Sequence, residues 1–197
     1  MNLARMSGFI LALVFSAAFA QEMKPEEMVR KVTEDVLAAI KSDKALQAGD
    51  RQKALALAEQ KVLPLIDFGE ATRLAVGRAW SNATPEQQKR LVDEFRAMLV
   101  RIYSNAIDVY RGQTMKVMPV RLAPGATETV VRNQYVRQGQ SPVAVEYAMR
   151  KTPEGWKIYD ITVEGVSLVL TYRAEFENIT RTSGVDGLIK RLQQKNA

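Results

Sequence analysis

The sequence predicts a single-domain α+β protein, with a bent antiparallel four-stranded sheet wrapped by N-terminal and C-terminal helices. Three observations predict it. Apolar residues recur at three-four spacing as far as about residue 110, at every second position between residues 117 and 163, and again at three-four spacing after residue 165. A chain of 197 residues, 47% of them hydrophobic, is long enough to bury one core.

The first part of the chain predicts helices with recognisable starts. Pro25–Ser42 carries one apolar stripe, and proline is tolerated in a first helical turn. Asp50 can cap a second helix, and Asp67 a third short helix that runs towards Trp80.

The longest predicted helix opens at a capping box. Thr84 is the cap, Pro85 occupies the first helical position, and Gln87 can reach back to the cap backbone. One face stays apolar as far as about Tyr110, and Gly112 ends the helix.

Four strands joined by short turns are predicted next, as an antiparallel meander. They cover residues 117–122, 129–137, 143–149 and 156–163. The first is an edge strand because Pro119 interrupts it. After the turn at residues 164–165 the helical period returns. Ser167 can cap one helix that ends at Gly184, and Asp186 can cap a last short one.

The composition excludes several classes of enzyme. The chain has 28 Lys and Arg against 22 Asp and Glu, with no His and no Cys. A Ser-His-Asp or Cys-His triad, a Cys nucleophile and an ordinary zinc site are therefore excluded, and we expect no enzyme. The basic residues are scattered rather than clustered, which argues against a nucleic-acid partner.

The N-terminus is typical of a secretory signal peptide. A positive start is followed by the apolar run 9–15 and by Ala18-Phe19-Ala20, a small-x-small cleavage pattern. We therefore expect residues 1–20 to be removed and residues 21–197 to form the exported domain. The alternative, a membrane anchor, is disfavoured because the apolar run is shorter than the roughly 20 residues of a span.

Several segments together resemble one known family. Residues 156–169 read WKIYDITVEGVSLV and closely resemble the signature of the MlaC family, the periplasmic toluene-tolerance (Ttg2-type) proteins. Further segments that resemble the family are LPLIDF at 63–68, GRAW at 77–80, ATPEQ at 83–87, YRGQT at 110–114 and RTSGVDGL at 181–188.

The resemblance implies a periplasmic phospholipid carrier that is an auxiliary component of an ABC transporter. Such a carrier shuttles lipid between an outer-membrane lipoprotein–porin complex and an inner-membrane ABC transporter with its substrate-binding ring. This transport maintains the lipid asymmetry of the outer membrane. The resemblance also implies a cavity between sheet and helices that is apolar and holds acyl chains, with a phospholipid as cargo and no cofactor or metal.

A carrier of this kind needs an apolar interior and no reactive groups. Two acyl chains hold roughly 30 methylenes, and exposing each to water costs about 0.8 kcal/mol, so unassisted transfer faces a barrier of about 24 kcal/mol. The absence of His and Cys is compatible with that task.

The residues expected to contact lipid come from the strands, the long helix and the segment after the last strand. Val166 is the strongest candidate, because it follows Gly165 within the signature segment. The alternative role for each is to fill the core. The candidates are Phe95, Leu99, Tyr103, Val131, Val145, Tyr147, Ile161, Val163, Val166, Leu168 and Val169.

Two other functions stay open at this point. A similar cavity could carry hopanoid or other terpenoid lipids, or it could belong to a small isomerase that uses Asp160 as a base. Strand alternation places Asp160 on the face of Ile158 and opposite Ile161 and Val163. A structural role for this carboxylate is therefore favoured.

Overall fold

The predicted order of helices, antiparallel sheet and helices is confirmed. A computed structural model describes residues 23–103, 114–137 and 139–197. The predicted signal peptide and the predicted end of the long helix lie outside the described residues.

Three helices form the N-terminal part, and side-chain caps fix where two of them begin. They are α1 (Pro25–Ser42), α2 (Lys44–Gln47) and α3 (Arg51–Lys61). Asp50 caps α3 as predicted, since its Oδ1 accepts from the backbone of the next turn at 3.0 and 3.1 Å. The short α2 was not predicted, and Asp43 caps it in the same way.

Helices α4 (Phe68–Val76) and α5 (Pro85–Tyr103) follow a 3-10 turn at Leu63–Leu65. Helix α4 is capped by Asp67 and continues as a 3-10 helix at Gly77–Asn82. The predicted capping box of α5 is confirmed: the Gln87 amide donates to Thr84 Oγ1 at 3.2 Å, and the Thr84 amide donates to Gln87 Oε1 at 3.0 Å.

The C-terminal helices form one element, α6 (Arg173–Asn196), with a break inside it. Gly184 has φ 67°, which interrupts the helix where the sequence predicts an end. A 3-10 turn at Leu170–Tyr172 precedes α6, and Ser167 Oγ accepts from the Leu170 amide at 2.8 Å. The predicted helix start directly after Ser167 is wrong, because α6 begins only at Arg173 and has no side-chain cap.

Within the described residues the sheet has five strands in the order β1-β2-β3-β4-β5, all antiparallel. They are β1 (Thr114–Val117), β2 (Glu128–Val136), β3 (Val143–Thr152), β4 (Gly155–Val163) and β5 (Val166–Ser167). The predicted count of four is wrong, because β5 is a two-residue strand too short to show a period. The predicted first strand at 117–122 is also wrong, since β1 ends at Val117, two residues before Pro119.

A β-bulge in β4 changes which side chains share a face. Ala148 pairs with Asp160 but Met149 pairs with Ile158, so Tyr159 is an extra residue. Asp160 therefore lies opposite both Ile158 and Ile161. The prediction that Asp160 shares a face with Ile158 is wrong, although its position opposite Ile161 is confirmed.

Apolar packing divides into two clusters. One is the face of the sheet on which Met28 and Val29 of α1 pack, which we call the inward face. Its residues, by register, are Met115, Val117, Thr129, Val131, Asn133, Tyr135, Val143, Val145, Tyr147, Met149, Lys151, Trp156, Ile158, Ile161, Val163 and Val166. The other, the helical cluster, consists of Ala71, Ala75, Val76, Leu91, Phe95, Met98, Val169, Phe176, Leu188, Ile189 and Leu192.

Candidate functional site

The six strand residues expected to contact lipid lie together on the inward face. One cross-strand row is Val131, Tyr147 and Ile161, and the next is Val145, Val163 and Val166. Their common face follows from strand alternation, since residues that pair across a ladder point to the same side. The structure thus brings them into one continuous apolar surface.

Burial along this surface falls towards one end of the sheet. Val131 is fully buried and Val145 is 7% exposed, whereas Val143 is 41% exposed and Val166 is 57% exposed. Large apolar side chains that are this accessible form a candidate binding surface when they continue a buried apolar face. We call the end marked by Val143 and Val166 the open end.

The turn before β5 holds Val166 at the open end. Glu164 and Gly165 have φ of 49° and 81°, which is the backbone of a two-residue hairpin of type I′. This tight turn pairs Val166 with Val163. Gly165 suits it because glycine adopts positive φ without strain.

The predicted helix residues lie in or against the helical cluster instead. Phe95 is fully buried and meets Tyr172 and Phe176 in edge-to-face contacts, with ring centroids 5.5 and 5.3 Å apart. Val169 belongs to the same cluster and Leu99 packs against it. The structure therefore separates these side chains from those of the inward face, and Phe95 fills a core.

Tyr103 and Leu168 occupy intermediate positions. Tyr103 is the last described residue of α5, and its side chain hydrogen-bonds Tyr172. Burial, and then this hydrogen bond, raise the pKa of Tyr172, so the phenol stays neutral. Leu168 is half-buried, and its amide donates to the Ile161 carbonyl at 2.8 Å.

The inward face also holds polar groups that the sequence analysis did not select. The hydroxyls of Tyr135 and Tyr147 lie 3.0 Å apart. Burial raises the pKa of Tyr147 well above its usual value near 10, so the Tyr147 phenol stays neutral. Asn133 is 2% exposed, and its Nδ2 and Oδ1 have no hydrogen-bond partner in the described part of the chain. The alternation of residues 129–137 already placed Asn133 and Tyr135 on the face of Val131.

Asp160 has a structural role on the opposite face. Its Oδ1 accepts from the amides of Ile161 at 2.8 Å and Val169 at 3.2 Å, and its Oδ2 accepts from Ser167 Oγ at 2.6 Å. The carboxylate is 8% exposed and ties the segment around β5 to β4. The arrangement supports the structural interpretation over a catalytic base, because the oxygens are occupied by intramolecular donors.

Two open clefts lie away from these residues, each with a volume of about 490 Å³. One is lined in part by Asp67, Arg96 and Lys157, and the other in part by Leu122 and Trp156. Within residues 23–103, 114–137 and 139–197, no three acidic side chains are grouped as a metal site would need. Among the same residues no helix combines the length and apolarity required to cross a membrane.

Comparisons with known proteins agree on one family. Residues 30–194 match the family described as MlaC protein. The chain is 24% identical to the "Toluene tolerance protein ttg2D" of Pseudomonas putida over 94% of its own length and 86% of that protein. It is 20% identical to the "Intermembrane phospholipid transport system binding protein MlaC" of Haemophilus influenzae, over 92% of its own length and 86% of that protein.

A solved structure resembles the whole described fold. It is a phospholipid-binding protein from Ralstonia solanacearum in complex with a phospholipid, solved at 1.53 Å resolution. The TM-score is 0.77 and the identity 41%, over 87% of this chain and 96% of that one.

The fold and site define an α+β protein with an extended apolar sheet face that stays accessible at one end. The family match covers most of the chain, and this chain belongs to the MlaC family.

Proposed function

We propose that the protein is a phospholipid carrier whose acyl chains lie against the inward face. The observation that carries this proposal is the likeness to the Ralstonia solanacearum protein, which is 41% identical and was solved with a phospholipid bound.

The gradient of burial supports an orientation for the cargo. The buried rows of the inward face offer apolar contact to acyl chains, and each methylene removed from water contributes about 0.8 kcal/mol. The open end, where Val143 and Val166 are exposed, leaves room for a polar headgroup to remain in water. Tyr147 and Ile161 are only partly buried, so ligand contact can cover more of them.

We further propose that residues 21–197 work in the periplasm after removal of residues 1–20. The carrier would move lipid between an outer-membrane lipoprotein–porin complex and an inner-membrane ABC transporter with its substrate-binding ring. The family supports this, as does the relative named for an intermembrane phospholipid transport system. Without Arg5 the net charge falls from +6 to +5, and this positive charge favours encounter with acidic partner surfaces, with an on-rate that falls as salt is added.

Native mass spectrometry of the protein purified from a Gram-negative host tests the cargo. We expect a bound mass that dissociates as a phospholipid. Val166→Glu should lower the occupancy, because a carboxylate at the open end lies beside the lipid phosphate and repels it. Val130→Glu is the matched control: Val130 is an exposed valine on the other face of the sheet, and the change should leave occupancy unaltered.

Three results would contradict the proposal. An empty protein that takes up no phospholipid from vesicles would refute lipid carriage. A bound polycyclic terpenoid would replace the phospholipid as cargo. Equal occupancy in Val166→Glu and Val130→Glu, with both variants folded by circular dichroism, would remove the open end from the site.

A further inference from the structure

The inward face contains one buried amide among apolar neighbours. Asn133 pairs with Val117 on β1 and Val145 on β3, and Val131 precedes it on the same face of β2. Its side chain is buried, and in the described ranges neither polar atom of the carboxamide has a hydrogen-bond partner. Buried amides are normally paired because an unpaired one is costly, so this group is suited to a partner that the folded chain does not supply.

Two tyrosines converge over this amide. Tyr135 pairs with Val143, and Tyr147 pairs with Val131, so the two tyrosines start two cross-strand rows apart. Their hydroxyls nevertheless meet at 3.0 Å, which requires the rings to lean towards each other over the row between them. That row is Asn133 and Val145. From this register we infer that the carboxamide and the two hydroxyls lie near one another, and we call these three polar groups the notch.

The chemistry of the notch suits a neutral acceptor. The carboxamide nitrogen offers two donors, and the tyrosine pair retains one hydroxyl proton beyond the bond that joins it. The described residues of rows 131 to 135 on β2 and their partners on β3 carry no charged side chain on this face. An ester carbonyl accepts hydrogen bonds and carries no charge, so it matches this uncharged part of the face.

The position of the notch suits the ester groups of a phospholipid. The row of Asn133 lies two residues inward from Val143, which is about 7 Å along a strand. Val143 marks the open end, where the headgroup is proposed to lie. In a diacyl phospholipid the ester carbonyls follow the phosphate after the short glycerol backbone, so they would reach this row as the acyl chains cover the rest of the face.

We propose that Asn133, with the hydroxyls of Tyr135 and Tyr147, binds the ester carbonyls of an acyl-glycerol lipid. This proposal rests on the proposed function and adds to it a selectivity among lipids. The carrier distinguishes ester-linked from ether-linked lipids, although the two have the same chains and headgroup.

Competition between two lipids tests the proposal. The full exported chain is equilibrated with vesicles containing equal amounts of diacyl and dialkyl phosphatidylglycerol of matched chain length, and native mass spectrometry gives the ratio bound. The unaltered protein should prefer the ester lipid by about tenfold, as one to two hydrogen bonds predict. Asn133→Leu should bring the ratio near one, and Tyr135→Phe should lower it in part.

The control is Gln134→Leu, which makes the same kind of change on the opposite face of β2 and should keep the preference. The ratio of ester to ether lipid bound by the unaltered protein needs no variant. It therefore tests the proposal even if Asn133→Leu folds poorly. Equal binding of the two lipids by the unaltered protein overturns the proposal, and so does an unchanged preference in folded Asn133→Leu. Failure to bind either lipid overturns the proposed function itself, and this proposal with it.

Discussion

Asp160→Ala should destabilise the protein strongly, although Asp160 lies on the face away from the proposed ligand. The change removes the acceptor of three hydrogen bonds, from the amides of Ile161 and Val169 and from the Ser167 hydroxyl. The Val169 amide is buried and the Ile161 amide partly so, and each buried donor left unpaired costs about 1–3 kcal/mol. The hydroxyl can turn elsewhere. We expect a loss of about 3 kcal/mol in the free energy of unfolding.

Asp160→Asn keeps the shape of the side chain but removes its negative charge. Both backbone donors bind Oδ1, which an asparagine retains, so this variant should lose only about 1 kcal/mol. Urea unfolding followed by circular dichroism measures both variants. An alanine variant within about 0.5 kcal/mol of the unaltered protein would refute the structural role of the carboxylate. So would an asparagine variant as unstable as the alanine one.

Two further changes test how local interactions support the sheet and its open end. Glu70 hydrogen-bonds Arg73 and accepts from Arg150 Nη1 at 2.9 Å, and these partners, Arg73 first, lower its pKa below the usual 4.5. The stability that ionised Glu70 contributes is therefore fully present above pH 4.5, the usual pKa, and is lost as the pH falls through the lowered pKa of the folded state. Glu70→Gln should lower the free energy of unfolding by about 1 kcal/mol at pH 7. Urea unfolding should show a smaller difference between the two proteins at pH 3. An equal difference at both pH values would contradict this prediction. Gly165→Ala should lower the free energy of unfolding by about 1 kcal/mol, because alanine is strained at the φ of 81° found here. A new Cβ would meet no neighbouring atom, so backbone strain is the only cost expected. A melting temperature equal to that of the unaltered protein would contradict this prediction.

Features set by neighbouring residues could be predicted from the sequence. The bounds of α1 follow from one apolar stripe and a first-turn proline, and the starts of α3 and α5 from the caps at Asp50 and Thr84. Each depends on contacts within a few positions of the chain. The break at Gly184 was predictable for the same reason, since glycine is the residue that adopts its backbone angles at low cost.

Features set by distant contacts could not be predicted. The bulge at Tyr159 lies where β4 also pairs with residues before α4: the Asp67 amide donates to the Ile158 carbonyl at 2.7 Å. Strand β5 depends on a tight turn and on the hydrogen bonds of Asp160 rather than on a period of its own.

The same distinction between local and distant contacts applies to the candidate site. Strand alternation placed Val131, Tyr147 and Val163 on one face because parity is a local property. Three-four spacing showed that Phe95 is on the apolar side of α5, but not which cluster that side meets. Asn133 has the parity of Val131, but alternation alone does not indicate that a polar side chain on this face is left without a partner.

Cross-linking with a phospholipid that carries a diazirine on an acyl chain tests most directly whether the chains lie on the inward face. After illumination and digestion, we expect labelled peptides from β2, β3 and β4, with modified positions of the parity of Val131, Val145 and Ile161, and competition by unlabelled phospholipid. Labelling of the opposite parity, such as Val130 and Thr162, or labelling that excess phospholipid does not reduce, would contradict the proposed site.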